Sequence, residues 1–513
     1  MNNADCCHGT SVPGSLLTAG MFIGSVSAIT LYHWLYTWRD PSSNIAIVGL
    51  CTVDIHAYPV ENLPKPGEIS FVDKISLSVA GTAAGTAVAC QKLGMNVQLR
   101  CAVGRDFMGD VIVRSLLQRH NIDTSGLQIL VEHPTSSTVI NVEPKTGGRP
   151  CLHQFGAADH LTLSMDDMKS LCESNKYLHI GGLGLVAKCG NYERSIEPLL
   201  RIANENRVVT SLDIIAPHVN TLQHLKKILP LIDYFLPSLE EAEVISQLKS
   251  HEIGTVGEFF MGLGVRIACV FKAGGKGSYL VCRRESIIDQ QMSKVATSSK
   301  SILHTSLSGS ISCYRVLAFD LSSVPDALAE ELHIMNSRHN KNGEKSCLYD
   351  TTGCGDTYVS GFLAGLSRGY DISDALRFGT ASSALCATGL GSDAGNKSWS
   401  FVERFISEVP LLEEDVSNIP HSPQTPYGPI TAGGTRLFSP PPSRKNEQTP
   451  LASRLRTLVQ GGAVDSDDDY TSNPNTPEME SSDVKRAFST DITISTSSSS
   501  EQLNYYSAKE RPD

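Results

Sequence analysis

Residues Asp350-Thr351-Thr352-Gly353-Cys354-Gly355-Asp356-Thr357 decide how the rest of the chain is read. Small residues stand between two aspartates, and the run leads straight into the helix-like segment Tyr358–Leu366. The first backbone amides of a helix have no partner inside it. Those of Gly353, Cys354, Gly355 and Asp356 would point outward, where free amides and the helix dipole together stabilise a phosphate. Glycine lets the backbone approach a ligand closely and adopt positive φ. Asp356 falls within reach of whatever lies beside that phosphate, and a carboxylate there can accept a proton from an attacking hydroxyl. No P-loop pattern occurs, so phosphate is not held by a Walker lysine.

Upstream, short apolar runs alternate with helical patterns. Ile45–Leu50 reads as a buried strand, Gly85–Leu93 as a helix, Val97–Val103 as a strand and Gly109–His120 as a helix. Strands at Tyr177–Ile180, Val208–Leu212, Tyr234–Leu236 and Ile267–Phe271 continue the rhythm. Such alternation predicts an α/β fold with a mostly parallel sheet covered on both faces. Asp54–Val79 and Thr138–Phe155 are patterned differently and predict short antiparallel strands outside the main sheet. Residues 285–345 are rich in Ser, Asn and His and end in the polar run Asn336–Lys345. They predict a flexible surface-loop insertion with a short helix at Ala327–Met335.

Both ends differ from the middle. Residues 15–38 carry no charged side chain, and Tyr32, Trp34, Tyr36 and Trp38 follow the apolar part. The stretch predicts a membrane-anchor helix over about 16–38 within an N-terminal extension, residues 1–43, with a buried or disordered extension or a targeting sequence as alternatives. An anchor followed by Arg39 would leave the next domain in the cytosol; without one the protein is expected to be cytoplasmic. Residues 411–513 read as a disordered Ser/Pro-rich tail with proline-directed phosphosite patterns such as Ser422-Pro423 and Thr449-Pro450. Between them, 44–284 and 346–410 make one large α/β domain with a small accessory layer.

With 41% hydrophobic and 19% charged residues the chain is not wholly disordered, and a net charge of −11 argues against nucleic acid as a partner. The fourteen cysteines contain no C-x-x-C, which argues against a structural zinc site.

The string 350–357 resembles the second signature of the PfkB family of carbohydrate kinases. Ala80-Gly81-Thr82-Ala83-Ala84-Gly85-Thr86-Ala87, Lys92-Leu93-Gly94 and Val103-Gly104-Arg105-Asp106-Phe107-Met108-Gly109 resemble the first, about 270 residues upstream. The resemblance implies a ribokinase-like three-layer α/β/α sandwich with a small β-sheet lid. It implies ATP-dependent phosphorylation of a primary hydroxyl on a sugar or sugar-like molecule, with Asp356 as general base and the amides of Gly353, Cys354, Gly355 and Asp356 as anion hole. Asp54 matches a sugar-binding aspartate, Gly81 a lid hinge beside Thr82, and Gly85 replaces an asparagine that touches the sugar in ribokinase, which argues against ribose. Ser238-Leu239-Glu240-Glu241 resembles a motif that organises Mg²⁺ and phosphate, with Glu241 acting through water. Lys272, Gly274 and Gly277 match the turn beneath ATP, and Asp350 and Thr352 match a site for a monovalent cation such as K⁺. Asp213 follows a strand and is a further candidate for the cleft, while Arg149, His153 and Phe155 lie in the expected lid. Two other readings stay open: a nucleoside kinase of the same fold, and a catalytically quiet scaffold with a phospho-regulated tail. Monomer and homodimer are equally compatible with the sequence.

Overall fold

The computed structural model describes residues 44–412 apart from 144–148, 184–190, 218–220, 249–252, 300, 309, 333–337 and 340–344. The candidate anchor at 16–38 and nearly all of the Ser/Pro-rich segment lie outside the described residues. Among the described residues no helix is long and apolar enough to cross a membrane.

The chain begins β1 (Asn44–Gly49), β2 (Thr52–Tyr58), β3 (Lys74–Ala80), α1 (Thr82–Lys92), β4 (Asn96–Gly104), a π-helical turn (Phe107–Val113) and α2 (Arg114–Arg119). It continues β5 (Leu127–Leu130), β6 (Ser137–Asn141), β7 (Cys151–Gln154), α3 (Met165–Ser174), β8 (Tyr177–Gly181), α4 (Asn191–Glu205), β9 (Val209–Leu212), α5 (Thr221–Ile228) and β10 (Tyr234–Phe235). Then follow α6 (Leu239–Ser246), α7 (Ile253–Gly262), β11 (Ala268–Lys272), β12 (Ser278–Arg283), α8 (Ile287–Ser298), β13 (Ile302–Ser308), β14 (Ile311–Val316) and α9 (Asp326–Glu331). The last helices are α10 (Cys354–Ser367), α11 (Ile372–Cys386) and α12 (Trp399–Glu408).

The main sheet has the order β13-β14-β12-β11-β10-β9-β8-β1-β4-β5. Every pair from β11 to β5 is parallel, and the β11–β12, β12–β14 and β13–β14 pairs are antiparallel. In β1, Ile45 and Ile47 belong to one apolar core with α1, α10 and α11, while Ala46 and Val48 belong to the other with α3, α4 and α7. Side chains alternate across a strand, so this central strand buries both faces and produces three layers.

The segments patterned apart form a second sheet, β3-β2-β6-β7. Here β2–β3 and β6–β7 are antiparallel, as expected, but β2–β6 is parallel. The connection between β2 and β6 passes through the main sheet, which returns the chain in the same direction.

The expectation of a loop over 285–345 requires correction. Residues 287–316 form α8, β13 and β14, and the two strands extend the main sheet beyond β12. Polar residues misled the reading because they pair with one another. Tyr314 Oη donates to Asp289 Oδ1 at 2.5 Å and shares a 2.6 Å hydrogen bond with Ser293 Oγ. The short helix near 327 is α9, Asp326–Glu331.

Candidate active site

Gly353 caps α10 with φ +77°, a conformation that favours glycine, and a β-carbon built there would lie 2.7 Å from the Ser392 backbone. The cap therefore fits only between Ser392 and the helix start. The Cys354 amide turns back to Thr351 O at 3.3 Å, so the anion-hole expectation is modified at that residue. The amides of Gly353, Gly355 and Asp356 meet no backbone acceptor among the described residues. Gly355 faces Lys272, whose Nζ would be 3.5 Å from a β-carbon at 355.

Asp356 is half-buried in the first turn of α10. Burial pushes its carboxyl up to about 7, with Asp213, Asp54 and Glu241 adding to the rise and Lys272 opposing it. Gly85, in the first turns of α1, meets it directly: a β-carbon at 85 would lie 2.6 Å from Asp356 Oδ2. Thr82 is buried at the start of α1, and its hydroxyl finds no partner among the described residues. Gly81 has φ +86° and would bring a β-carbon within 2.6 Å of Leu50 O, so its geometry is one of close approach at the root of the lid.

Lys272, at the end of β11, pairs with Asp213 Oδ2 at 2.5 Å. Asp213 follows β9 and is buried. Ser238 and Glu241 form a capping box on α6: Ser238 Oγ accepts the Glu241 amide at 3.2 Å, and Glu241 Oε2 accepts the Ser238 amide at 2.8 Å. Ser238 thus orients Glu241 as well as starting the helix. Burial and nearby Asp213 push the Glu241 carboxyl up to about 7. Gly274 and Gly277 both have positive φ, and Gly277 lets the turn pass Val316 O, only 1.9 Å from a β-carbon built there.

Asp54 is buried on β2. Burial raises its carboxyl to about 6 against the hydrogen bonds of Thr52 and Thr138. Asp350 Oδ1 accepts the Thr352 amide at 2.9 Å and hydroxyl at 2.7 Å, and Oδ2 accepts the Gly391 amide at 2.9 Å. A group the sequence reading missed completes the join to the lid. His56 Nε2 lies 3.0 Å from Ser78 Oγ, Ser78 Oγ lies 3.1 Å from Ser392 Oγ, and His56 Nδ1 stands 3.7 Å from Asp350 Oδ2. All four side chains are buried. His56 lies two residues beyond Asp54 on β2, so strand alternation was the one signal available for it.

The family model described as pfkB family carbohydrate kinase matches residues 42–297 and 338–399. The chain belongs to this family. The unmatched residues between, 298–337, hold β13, β14 and α9 of this PfkB-family protein. It is 23% identical to ribokinase from Staphylococcus aureus over 378 residues, 73% of this chain and 98% of that one. It is 23% identical to the ATP-dependent 6-phosphofructokinase of Thermoanaerobacterium thermosaccharolyticum over 321 residues, 59% of this chain and 77% of that one. A putative ribokinase II from E. coli, solved with ATP and Mg²⁺, superimposes with a TM-score of 0.53 at 19% identity, covering 71% of this chain and 99% of the other. The fold of this PfkB-family chain is accordingly ribokinase-like, and the chain is a phosphotransferase with an alcohol group as acceptor.

Proposed function

We propose that this chain transfers the γ-phosphoryl group of ATP to a primary hydroxyl of a sugar or sugar-like acceptor, with Asp356 as the base. The observation that carries the reading is the junction of three groups at one helix start. The Asp356 carboxylate, the unpartnered Gly355 and Asp356 amides, and Lys272 converge at the N-terminus of α10. A carboxyl near 7 is about half ionised at neutral pH, and a base of that strength can take the proton of a hydroxyl as it attacks. The amides and Lys272 stabilise the charge spread over the transferred group. Asp54 offers a carboxylate to the acceptor's hydroxyls from the lid side.

Among the described residues the carboxylates of Asp213, Glu241 and Asp356 outnumber the ammonium of Lys272 that faces them, and such an acidic donor set suits Mg²⁺. Among the described residues no cluster of three or more His, Cys, Asp or Glu is arranged to hold a metal by itself. Glu241 would therefore act through water, and bound Mg²⁺ would neutralise phosphate charge. Asp350 and Thr352 would serve a monovalent cation with the carboxylate already fixed by Gly391. The ribokinase and 6-phosphofructokinase relatives support a sugar acceptor over a nucleoside.

The test is ADP release by the full chain with Mg²⁺ and K⁺ against sugars, sugar acids, sugar phosphates and nucleosides. Asp356→Asn is expected to lower kcat about 10²- to 10⁴-fold, the usual share of a general base. Equal turnover in the variant overturns the assignment of the base, and turnover confined to a nucleoside moves the acceptor class.

A further inference from the structure

We propose that the acceptor carries an anionic group, a carboxylate or a phosphate, and that Arg149 binds it. The inference deepens the kinase reading above and rests on it. Its starting point is the register of the lid. Asp54 pairs with Thr138 and Thr138 with His153; one row further, His56 pairs with Ile140 and Ile140 with Cys151. The ladder runs on past the named strands, since the Asn141 amide donates to Pro150 O at 3.1 Å and the Val142 amide to Ala57 O at 3.0 Å. Continuing it one step sets Arg149 opposite Val142.

Side chains alternate along each strand, so Arg149, Cys151 and His153 share a face with Asp54 and His56. That face is turned to the cleft: Asp54 is 7% and His56 0% exposed, whereas Val139 and Leu152 on the opposite face are 37% and 71% exposed. The Arg149 charge acts on Asp54, His56 and Cys151 alike, which agrees with the register.

Arg149 is half-buried, yet it makes no ion pair with another described residue. The neighbouring carboxylates do not claim it. Asp350 is occupied by Thr352 and Gly391. Asp54, nearer the root of the lid, takes a hydrogen bond from Thr52. Lys272, a second cation of the cleft, is tied to Asp213 at the phosphoryl end. A guanidinium on an enclosed face, within the field of Asp54 but in ion-pair contact with no described carboxylate, is a receptor for a planar anion or a phosphate, with its fork of donors supplying direction. Four residues separate the Asp54 row from the Arg149 row, about 13 Å along a strand. Both rows lie on one face, so an acceptor whose hydroxyls meet Asp54 has Arg149 on the same side of the cleft, with the long arginine side chain spanning part of that separation.

The experiment compares matched acceptors on the full chain: D-ribose and D-fructose against D-ribonate, D-gluconate and D-fructose 6-phosphate, with wild type, Arg149→Met, Arg149→Lys and Asp356→Asn. Kinetics are paired with thermal-shift binding of each compound, and an unchanged ATP-induced shift shows that the Arg149 variants remain folded. The expected result is that one anionic acceptor binds and turns over better than its neutral counterpart. Arg149→Met then raises KM for it about 10- to 100-fold, as loss of a charge-assisted contact does, with a smaller effect on kcat. Lysine restores part of the loss, and neutral sugars are unaffected. Carboxylate and phosphate are told apart by which compound responds. Preference for neutral sugars, binding of no anionic compound, or a KM change equal for neutral and anionic acceptors overturns the proposal. Failure of the kinase reading looks different: no acceptor, neutral or anionic, is turned over, while persistence of turnover in Asp356→Asn removes only the base.

Discussion

At Gly85 a single methyl group would collide with the carboxylate on which the proposed chemistry depends, since the β-carbon position lies 2.6 Å from Asp356 Oδ2. Gly85→Ala is expected to leave the fold intact and displace Asp356. A displacement of about 1 Å can cost about 100-fold in rate, so steady-state kinetics should show kcat falling about 10- to 100-fold. The position was legible as a departure from the family pattern, with glycine in place of an asparagine. What glycine does there was not legible, because the contact joins residues 85 and 356, far apart in the chain. Cys354 meets a different, local limit. Its place in the loop is evident, but the turn of its amide to Thr351 O depends on the local backbone path.

Among the elements, the α8–β13–β14 segment shows how composition and structure part company. Serine and histidine suggest a loop when summed over a window, yet Tyr314 is fully buried and its hydroxyl satisfies Asp289 on α8. Tyr314→Phe leaves that buried carboxylate short of a donor. The expected cost is about 1–3 kcal/mol by denaturant unfolding, with no change in KM for ATP. Hydrogen exchange should find β14 amides protected in the wild type, because each faces a partner strand on both sides. At the lid, His56, Ser78, Ser392 and Asp350 link two strands of one sheet to the loop that starts α10 and to the loop between α11 and α12. His56→Leu removes the partner of Ser78 and the neighbour of Asp350. It is expected to lower kcat through the anion-hole loop while ATP binding by calorimetry stays within about twofold.

Across the whole molecule the cleft concentrates negative charge, and this sets how stability follows pH. Asp356 and Glu241 titrate near 7 and Asp54 near 6 in the folded protein, against ordinary values of 3.8 for aspartate and 4.5 for glutamate. Between those limits the folded chain holds protons that the unfolded chain has released. Stability therefore rises as pH falls from about 7 toward about 4.5, and the same stability is lost as pH rises back through about 7. The ligand-free Tm is expected to be higher at pH 6 than at pH 8, and Asp356→Asn should shrink the difference. A Tm that rises steadily from pH 6 to pH 8 in both proteins would contradict this. Activity should run the other way, with kcat/KM falling as pH drops below about 7 because the base is then protonated.

The α/β alternation, the glycine-rich helix start and the second patterned region were determined by sequence alone, because period-two strands, helical spacing and free amides are local consequences of residue type. Family membership followed from the same motifs. Tertiary structure decided what those residues face: Lys272 against Asp213, Gly85 against Asp356, and Arg149 on the same lid face as Asp54. It also decided that the polar segment after Glu285 joins the main sheet, since a strand's partners come from elsewhere in the chain and its own composition does not name them.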